Sequence, residues 1–538
     1  MTVNNNINAD YIVVGAGSAG CAIAARLSEK PNVSVILIEA GPSDSSPLIS
    51  NPVGMLPVLN NSWYSWKYMT AAEPGLKIRS ISCPRGMVMG GSSALNGMLY
   101  VRGNREDYEE WRAAAGEGWG YEDVLPYFRK SENYDGPADQ WHGSMGPLQT
   151  KQCKPVTPLD SVFLEACHEV GLPHNEDFNG SDQIGAGWYQ QTLTHKGSKR
   201  ASTARTFLRE AENRPNLTIL KNSTTHRVVW DGKRAAGVKI DSPSGQQVIR
   251  ANKEVILSAG VIGSPHILQH SGVGDGQHLK SVGVEVLVEN KEVGLNLADH
   301  IDTSLWYTCK KPVSLNGLAR NPFGFLGSFA NAYFAGQGPL AGFTCRAGAF
   351  FSTRDDETLP DIQLHFAPLL YADGAVGVAF KHGFGISICL LKPESRGHVK
   401  IQSQNPSEPP EILFNYYTVD DDIIRMRDGL RKTREIFSAS AFSEYRGSEV
   451  APGGGVQSDE DIDNYLRTEG ETLYHPVGTA RMGNDVNSVV DPELRVRHVD
   501  GLRIADASIM PTIPRGNTNA PSIMIGEKAA DIILRGVQ

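Results

Sequence analysis

Tyr11-Ile12-Val13-Val14 is an unbroken apolar run closed by a glycine, and Val33-Ser34-Val35-Ile36-Leu37-Ile38 is a second, β-rich run closed by Glu39. Runs this short and this apolar predict strands buried on both faces. Between them Gly15-Ala16-Gly17-Ser18-Ala19-Gly20 makes a turn, and residues 22–27 predict a helix. The order is strand, glycine-rich turn, helix, strand, with an acid at the tip of the second strand. Far downstream, residues 361–368 (DIQLHFAP) and 397–403 (GHVKIQS) alternate apolar with polar positions, which predicts strands of an antiparallel sheet.

Composition narrows the class. The 538 residues, 40% of them apolar, suffice for two or more domains with a sizeable core. Net charge is −9, and no run of Lys/Arg is long enough to track a phosphate backbone, so nucleic acid is not an expected partner. Seven cysteines are scattered, odd in number and free of any C-x-x-C, which fits a reducing compartment and argues against a disulfide framework or a zinc site. The first residues lack a basic signal region, and no stretch approaches ~18 continuous apolar residues. The expectation is a cytoplasmic protein with no metal.

The first motif has a chemistry of its own. Gly15 permits the tight turn, Gly17 lets backbone approach a pyrophosphate, and Gly20 lets the helix pack close to the strand. Ala16, Ser18 and Ala19 fill the cradle, whose amides and helix dipole suit an anion. Glu39, followed by Ala40, is placed to accept hydrogen bonds from ribose hydroxyls. This predicts dinucleotide binding and leaves NAD and FAD equally open. A second stretch, residues 83–104 (CPRGMVMGGSSALNGMLYVRGN), offers bare amides and small hydroxyls that could wrap a planar ligand, but by composition it reads as well as a glycine-rich surface loop.

Those two stretches, with residues 260–274 (GVIGSPHILQHSGVG), 293–300 (VGLNLADH) and a C-terminal block holding HPVGTARMG and PRGNTNAPS, resemble the glucose–methanol–choline (GMC) oxidoreductases, flavoproteins that oxidise alcohols. The resemblance spans nearly the whole chain. It implies a Rossmann-like α/β domain that binds FAD and an α+β domain whose antiparallel sheet covers the flavin. The implied flavin domain is discontinuous, residues 1–150, 215–305 and 480–538; residues 151–214 and 306–479 would form the substrate domain. Trp66, Arg85, Met89, Gly90, Gly91 and Ser92 are implied flavin neighbours, as are Asn96, Gly97, Met98 and Leu99. Thr225 falls where the family often has a Val whose backbone meets adenine. Ser258, Ala259 and Gly260, then Asp506 and Ala507, would close the pocket, with Asn517, Thr518 and Asn519 beside the ring. Some members attach FAD through a histidine where this chain has Leu95, so non-covalent FAD is expected.

His475 lies in LYHPVGTARMG. A hydride leaving an alcohol carbon requires the hydroxyl proton to leave too, and a neutral imidazole suits that task. Pro476 biases the residue before it towards extended backbone. The family motif H-x-x-G-T-x-x-M implies that His475 is the proton acceptor, with Asn517 donating to the substrate oxygen and hydride passing to flavin N5. His300 and His266 read as structural or loop residues.

The substrate is less legible. Arg346 stands at or near the position where choline-type members carry a glutamate, which favours a neutral or anionic primary alcohol or polyol over choline. A light-driven fatty-acid decarboxylase branch resembles the family as well. Cys345 is suggestive of it, but His365 stands where that branch's arginine is expected. Choline dehydrogenase is the further alternative. Phe323, Phe325, Phe329, Tyr333 and Phe334 crowd into residues 318–336, which read either as a lid over the substrate cavity or as a peripheral contact on the inner membrane face. Oxygen, a quinone or a carrier protein would accept the electrons.

Overall fold

The computed structural model describes residues 7–371 and 378–536; residues 1–6, the start of the segment that lacks a basic signal region, lie outside it. Two large sheets organise the chain, in a mixed α/β fold with a Rossmann-like FAD-binding unit and an antiparallel-sheet unit.

The first sheet runs in the order Leu217–Leu220, Val35–Ile38, Asn8–Val14, Gly245–Leu257, Arg234–Ser242, Thr224–Asp231, with Leu502–Ile504 also joined to Gly245–Leu257. Asn8–Val14 lies parallel to both Val35–Ile38 and Gly245–Leu257, and Val14 pairs with Ile38 on one side and Leu257 on the other. Ile12, Val13, Leu37 and Ile256 are fully buried, as a strand covered on both faces requires. Because these strands end level, the residues that follow them share one edge. Gly15 N donates to Ile38 O (2.8 Å), Ser258 N to Val14 O (2.7 Å) and Ala505 N to Leu257 O (2.9 Å). Gly15, Glu39, Ser258 and Asp506 therefore meet at the carboxyl edge, where open α/β sheets bind ligands. The helices Ser18–Leu27 and Asn519–Arg535 pack together over this unit, pinned by the ion pair of Arg26 Nη2 with Glu527 Oε1 (2.7 Å).

The second sheet runs Arg446–Ala451, Ile301–Cys309, Gly383–Leu390, Ile362–Ala367, Ala347–Phe351, Gly185–Trp188, every pairing antiparallel. Ile362, Leu364 and Phe366 face a core shared with the helices Pro158–Glu169 and Asp420–Ser438, where Phe163 stacks on Phe366 with centroids 4.7 Å apart. Each fully buried side chain of this size contributes roughly 1.5–3 kcal/mol. The alternate positions, Gln363 and His365, point to the opposite face and are buried as well. That face is covered by protein, which is why a polar alternation here does not mark a water-facing side. Residues 397–403 yield only a short strand, His398–Lys400, which pairs antiparallel with Glu411–Leu413 outside the large sheet.

Candidate active site

A cavity of about 410 Å³ opens along the carboxyl edge of the first sheet. Gly15, Gly17, Ser18 and Ala19 line its middle, with Glu39 and Ala40 beside them. Trp66, Arg85, Gly91 and Ser92 form another wall, and Ser258, Ala259, Gly260, Asp506 and Ala507 close it. Thr225 lines it too, together with His226, Asp241 and His266, none of which was singled out as a ligand contact from sequence.

The glycine-rich turn is held from several sides. A methyl at Gly20 would stand 1.9 Å from Gly15 O, so only glycine lets the helix sit this close. Ala16 N donates to Glu39 Oε2 and Gly41 N to Glu39 Oε1, both at 2.9 Å. Burial pushes the Glu39 carboxyl up to about 7 against these backbone donors. Each oxygen keeps a second lone pair for a ligand hydroxyl. Gly90 N donates to Ala16 O (2.8 Å), which brings the second glycine-rich stretch onto the first. Ser92 Oγ accepts from Gly86 N (3.1 Å), and Asn519 Oδ1 accepts from Ser18 Oγ (2.7 Å).

Other expected neighbours stand behind the lining. Met89 is buried in the core, Leu99 pairs with Gln191, and Met98 O accepts from Thr192 N (2.8 Å). Gly97 lies against the Phe343 ring. Asn96 is gripped by the fully buried Arg200, whose Nη1 donates to Asn96 O (2.6 Å) and Oδ1 (2.8 Å). Thr518 caps the last helix and its carbonyl accepts from Ser522 Oγ (2.7 Å). The Asp506 carboxylate turns towards protein, accepting from Gly260 N (2.9 Å), Ser264 Oγ (2.6 Å) and Ser508 N (2.8 Å). It ties the helix Gly260–His270 to the turn Ala507–Ile509.

At the inner end, Arg85 Nη1 donates to Tyr474 O (2.9 Å) and Gly478 N to Ala507 O (3.2 Å), so two cavity-lining residues hold the segment that carries His475. Gly478 has φ +96°, and a Cβ there would stand 2.5 Å from Asn296 O. Asp299 Oδ1 accepts from His475 N (2.8 Å), while its other oxygen accepts from Tyr416 and Thr472. The backbone of residues 472–475 is thereby fixed from one buried carboxylate.

His475 and Asn517 converge across 42 positions of chain: Asn517 Nδ2 lies 3.1 Å from His475 Nε2. His300 Nδ1 lies 3.0 Å from His475 Nδ1, and His300 Nε2 lies 3.0 Å from Leu391 O. A carbonyl only accepts, so His300 Nε2 carries the hydrogen and its Nδ1 is a lone pair. His475 Nδ1–H then donates to His300, which leaves His475 Nε2 unprotonated and accepting from Asn517. Gln363 Nε2 donates to Asn517 Oδ1 (3.3 Å), consistent with the same amide orientation. Burial, then His300, His365 and Arg85, hold the His475 pKa well below the ordinary histidine value; burial pushes His300 down to about 3. His300, expected as a structural residue, thus sets the tautomer of its neighbour. Its signal in sequence was only the Asp-His pair ending residues 293–300.

His365 lies near enough to depress the His475 pKa, and neither of its ring nitrogens has a partner within the protein. Cys345 is buried, its thiol pushed up to about 12. Arg346 is not brought into this cluster: its guanidinium contacts the carbonyls of Lys154, Gly338 and Pro339 at 3.4–3.5 Å.

The family model described as GMC oxidoreductase matches residues 9–302 with its N-terminal part and residues 393–526 with its C-terminal part. The chain belongs to the GMC oxidoreductase family. An oxygen-dependent choline dehydrogenase of Brucella anthropi is 43% identical over 530 residues, covering 98% of this chain and 96% of that protein. One of the same name from Escherichia coli O139:H28 is 43% identical over 530 residues, covering 97% and 95%. Among solved GMC structures, pyridoxine 4-oxidase from Mesorbium loti superposes with a TM-score of 0.89 at 30% identity, over 98% of this chain and 99% of that one. A formate oxidase superposes with a TM-score of 0.91 at 26% identity, over 99% of each chain. As a GMC oxidoreductase the chain is an FAD-dependent enzyme acting on the CH–OH group of alcohols.

The cavity fits that cofactor. Thr225 Oγ1, His226 Nδ1 and Asp241 Oδ1 are buried without partners at one end of it. Each orphan of this kind costs about 1–3 kcal/mol, and a purine with its ribose offers the complementary donors and acceptors. No helix among the described residues is long and apolar enough to cross a membrane, and no group among them could hold a metal ion.

Proposed function

We propose that this chain oxidises a primary alcohol to the aldehyde, with His475 Nε2 taking the hydroxyl proton. The observation that carries the reading is the hydrogen-bond chain Leu391 O, His300, His475, Asn517, which leaves His475 Nε2 unprotonated, its lone pair holding an Asn517 N–H until a substrate hydroxyl takes that place. Asn517 has a second Nδ2 hydrogen for the substrate oxygen, and Gln363 keeps that amide from flipping. A donor of this kind, with a ring nitrogen of His365, steadies the charge that grows on the oxygen as the proton leaves. Bound FAD supplies the oxidant, accepting the carbinol hydrogen as hydride. Residues 1–150, 215–305 and 480–538 would hold FAD, and residues 151–214 and 306–479 the substrate.

For the rest of the substrate the reading is a neutral or anionic alcohol or a polyol. The anionic side rests on the family position of Arg346 alone, since its guanidinium lies outside the His475 cluster, on the carbonyls of Lys154, Gly338 and Pro339. One observation favours a second reading, a cationic alcohol such as the choline of the relatives' name. Asp302, on the same sheet face as His365, accepts from Ser387, and burial pushes its carboxyl up to about 7. A cation beside it would restore the carboxylate. Trp306 sits on the same strand face, with Tyr371 edge-on at 5.4 Å.

Anaerobic bleaching of the flavin band across neutral alcohols, polyols, hydroxy acids and choline tests all of this. Bleaching by a neutral or anionic primary alcohol and not by choline is expected; bleaching by choline alone selects the cationic reading, and an unbleached flavin removes the alcohol reading. Admitting air then tells oxygen from a quinone or carrier as acceptor by the speed of recolouring.

Leu95 stands in the glycine-rich stretch, buried against Ile49, Val58 and Val88, and a leucine forms no bond to flavin. Acid precipitation should release the yellow chromophore into the supernatant. Colour retained in the pellet overturns non-covalent attachment.

A further inference from the structure

The aromatic stretch folds as the helices Asn316–Arg320 and Pro322–Ala330 and a final turn, Asn331–Ala335. Its inner side is anchored: Leu318, Phe329 and Ala332 pack with Val53, Leu340 and Ala341. Its outer side is bare. Phe323 is 88% exposed, Leu326 64% and Phe334 82%. The segment from residue 378 is tied to the same helices, Asn316 Nδ2 donating to Ala379 O (2.9 Å), and its Phe380 is 71% exposed. Large apolar side chains clustered at these exposures mark a contact surface.

Charge says what it contacts. Acids make up 60 of 538 residues, about one in nine, yet residues 45–72, 183–209, 303–354 and 378–393 contain none. These four segments pack around the aromatic stretch: Val53 comes from the first, Ser198 Oγ of the second donates to Gly336 O (2.9 Å), and the other two share the Asn316–Ala379 bond. Lys196, Lys199, Arg320 and Lys381 stand in them as cations, Lys199 Nζ lying 5.2 Å over the Tyr333 ring. The net charge of −9 resides elsewhere, so an anionic surface would attract this face and repel the remainder.

We propose that this face docks on an anionic lipid surface, with Phe323, Leu326 and Phe334 entering the headgroup layer and Lys196, Lys199, Arg320 and Lys381 meeting the lipid phosphates. Apolar side chains below a basic rim are the design of an in-plane amphipathic segment. A second copy of the chain, presenting the same basic rim to itself, would meet like charge.

The test is sedimentation of the holoenzyme with phosphatidylcholine vesicles, with and without phosphatidylglycerol. The wild type should pellet with the anionic vesicles at low salt, remain with the neutral ones in the supernatant, and be released by salt. F323E/F334E should lower the pelleted fraction about tenfold while keeping flavin content and turnover of a soluble alcohol; F323S/F334S provides the milder pair. Wild-type protein that never pellets with anionic vesicles overturns the proposal, as do substitutions that leave pelleting unchanged. A wild-type dimer by light scattering that F323E/F334E converts to monomer also overturns it, since the face then belongs to a second copy.

Discussion

His475→Ala should stay yellow and lose about 10²–10⁴ of its kcat/KM, the range a positioned base contributes. The side chain lies past the cavity wall, with Arg85 and Ala507 holding its backbone segment, so truncation leaves the cavity lining at Gly15, Glu39 and Thr225 in place. What vanishes is the one lone pair that His300 and Asn517 orient. Single-turnover bleaching of the flavin checks this without interference from later steps, and a wild-type bleaching rate would remove His475 from the chemistry. The pH profile of the wild type carries a second reading. A base works in its neutral form, and burial with His300, His365 and Arg85 lowers the His475 pKa well below the ordinary 6.5. Falling pH therefore protonates it late, and the acid limb of kcat/KM should lie below pH 6.5. An acid limb above that value would mean that another group, or a reversed tautomer, governs the proton.

Gly20→Ala should yield protein without flavin. The added methyl would stand 1.9 Å from Gly15 O and 3.3 Å from Ser258 Cβ, so the turn or the helix must move. Overpacking of this order costs about 1–3 kcal/mol, and because the crowding atoms are protein it weakens the unliganded chain; its relief moves the turn away from the geometry that the flavin needs. Gly17→Ala separates crowding in the protein from crowding of the ligand. Its Cβ meets nothing closer than Ser258 O at 4.0 Å, so the flavin-free protein should melt as the wild type does. Only the approach of the pyrophosphate is obstructed there. Flavin titration and melting curves of the two variants therefore differ: both bind FAD weakly, but Gly20→Ala alone lowers the Tm of the unliganded chain. Full flavin occupancy in Gly20→Ala would show that the cradle binds something else.

Residues close in sequence were the easiest to read. The turn of Gly15 to Gly20 and the acid at Glu39 belong to one strand–helix–strand unit, whose spacing depends on local backbone geometry. Even so, the carboxylate of Glu39 spends one lone pair of each oxygen on Ala16 and Gly41, a use that no spacing rule announces. Asp506 was legible as a strand end, whereas the turn of its carboxylate into Gly260 and Ser264, besides the local Ser508 N, depends on a helix some 240 residues away. Arg200 was not singled out at all. A buried arginine gripping Asn96 has no periodic or motif signature, because the need for it arises only once residues 47–51 and 90–98 are packed together.

Taken alone, the sequence determined the family, the glycine-rich strand–turn–helix unit and which histidine lies in the family's C-terminal motif, because those depend on short, nearly contiguous patterns of backbone and side chain. It also determined that residues 361–368 alternate, but alternation reports only that two faces differ. Tertiary structure decided that the polar face, with Gln363 and His365, is buried beside His475 instead of facing water. It also decided that His300, 175 positions from His475, sets that ring's tautomer through a single nitrogen. Such contacts form only when distant segments are packed, and their partners are chosen by distance and direction in space, which neighbouring residues in the chain do not encode.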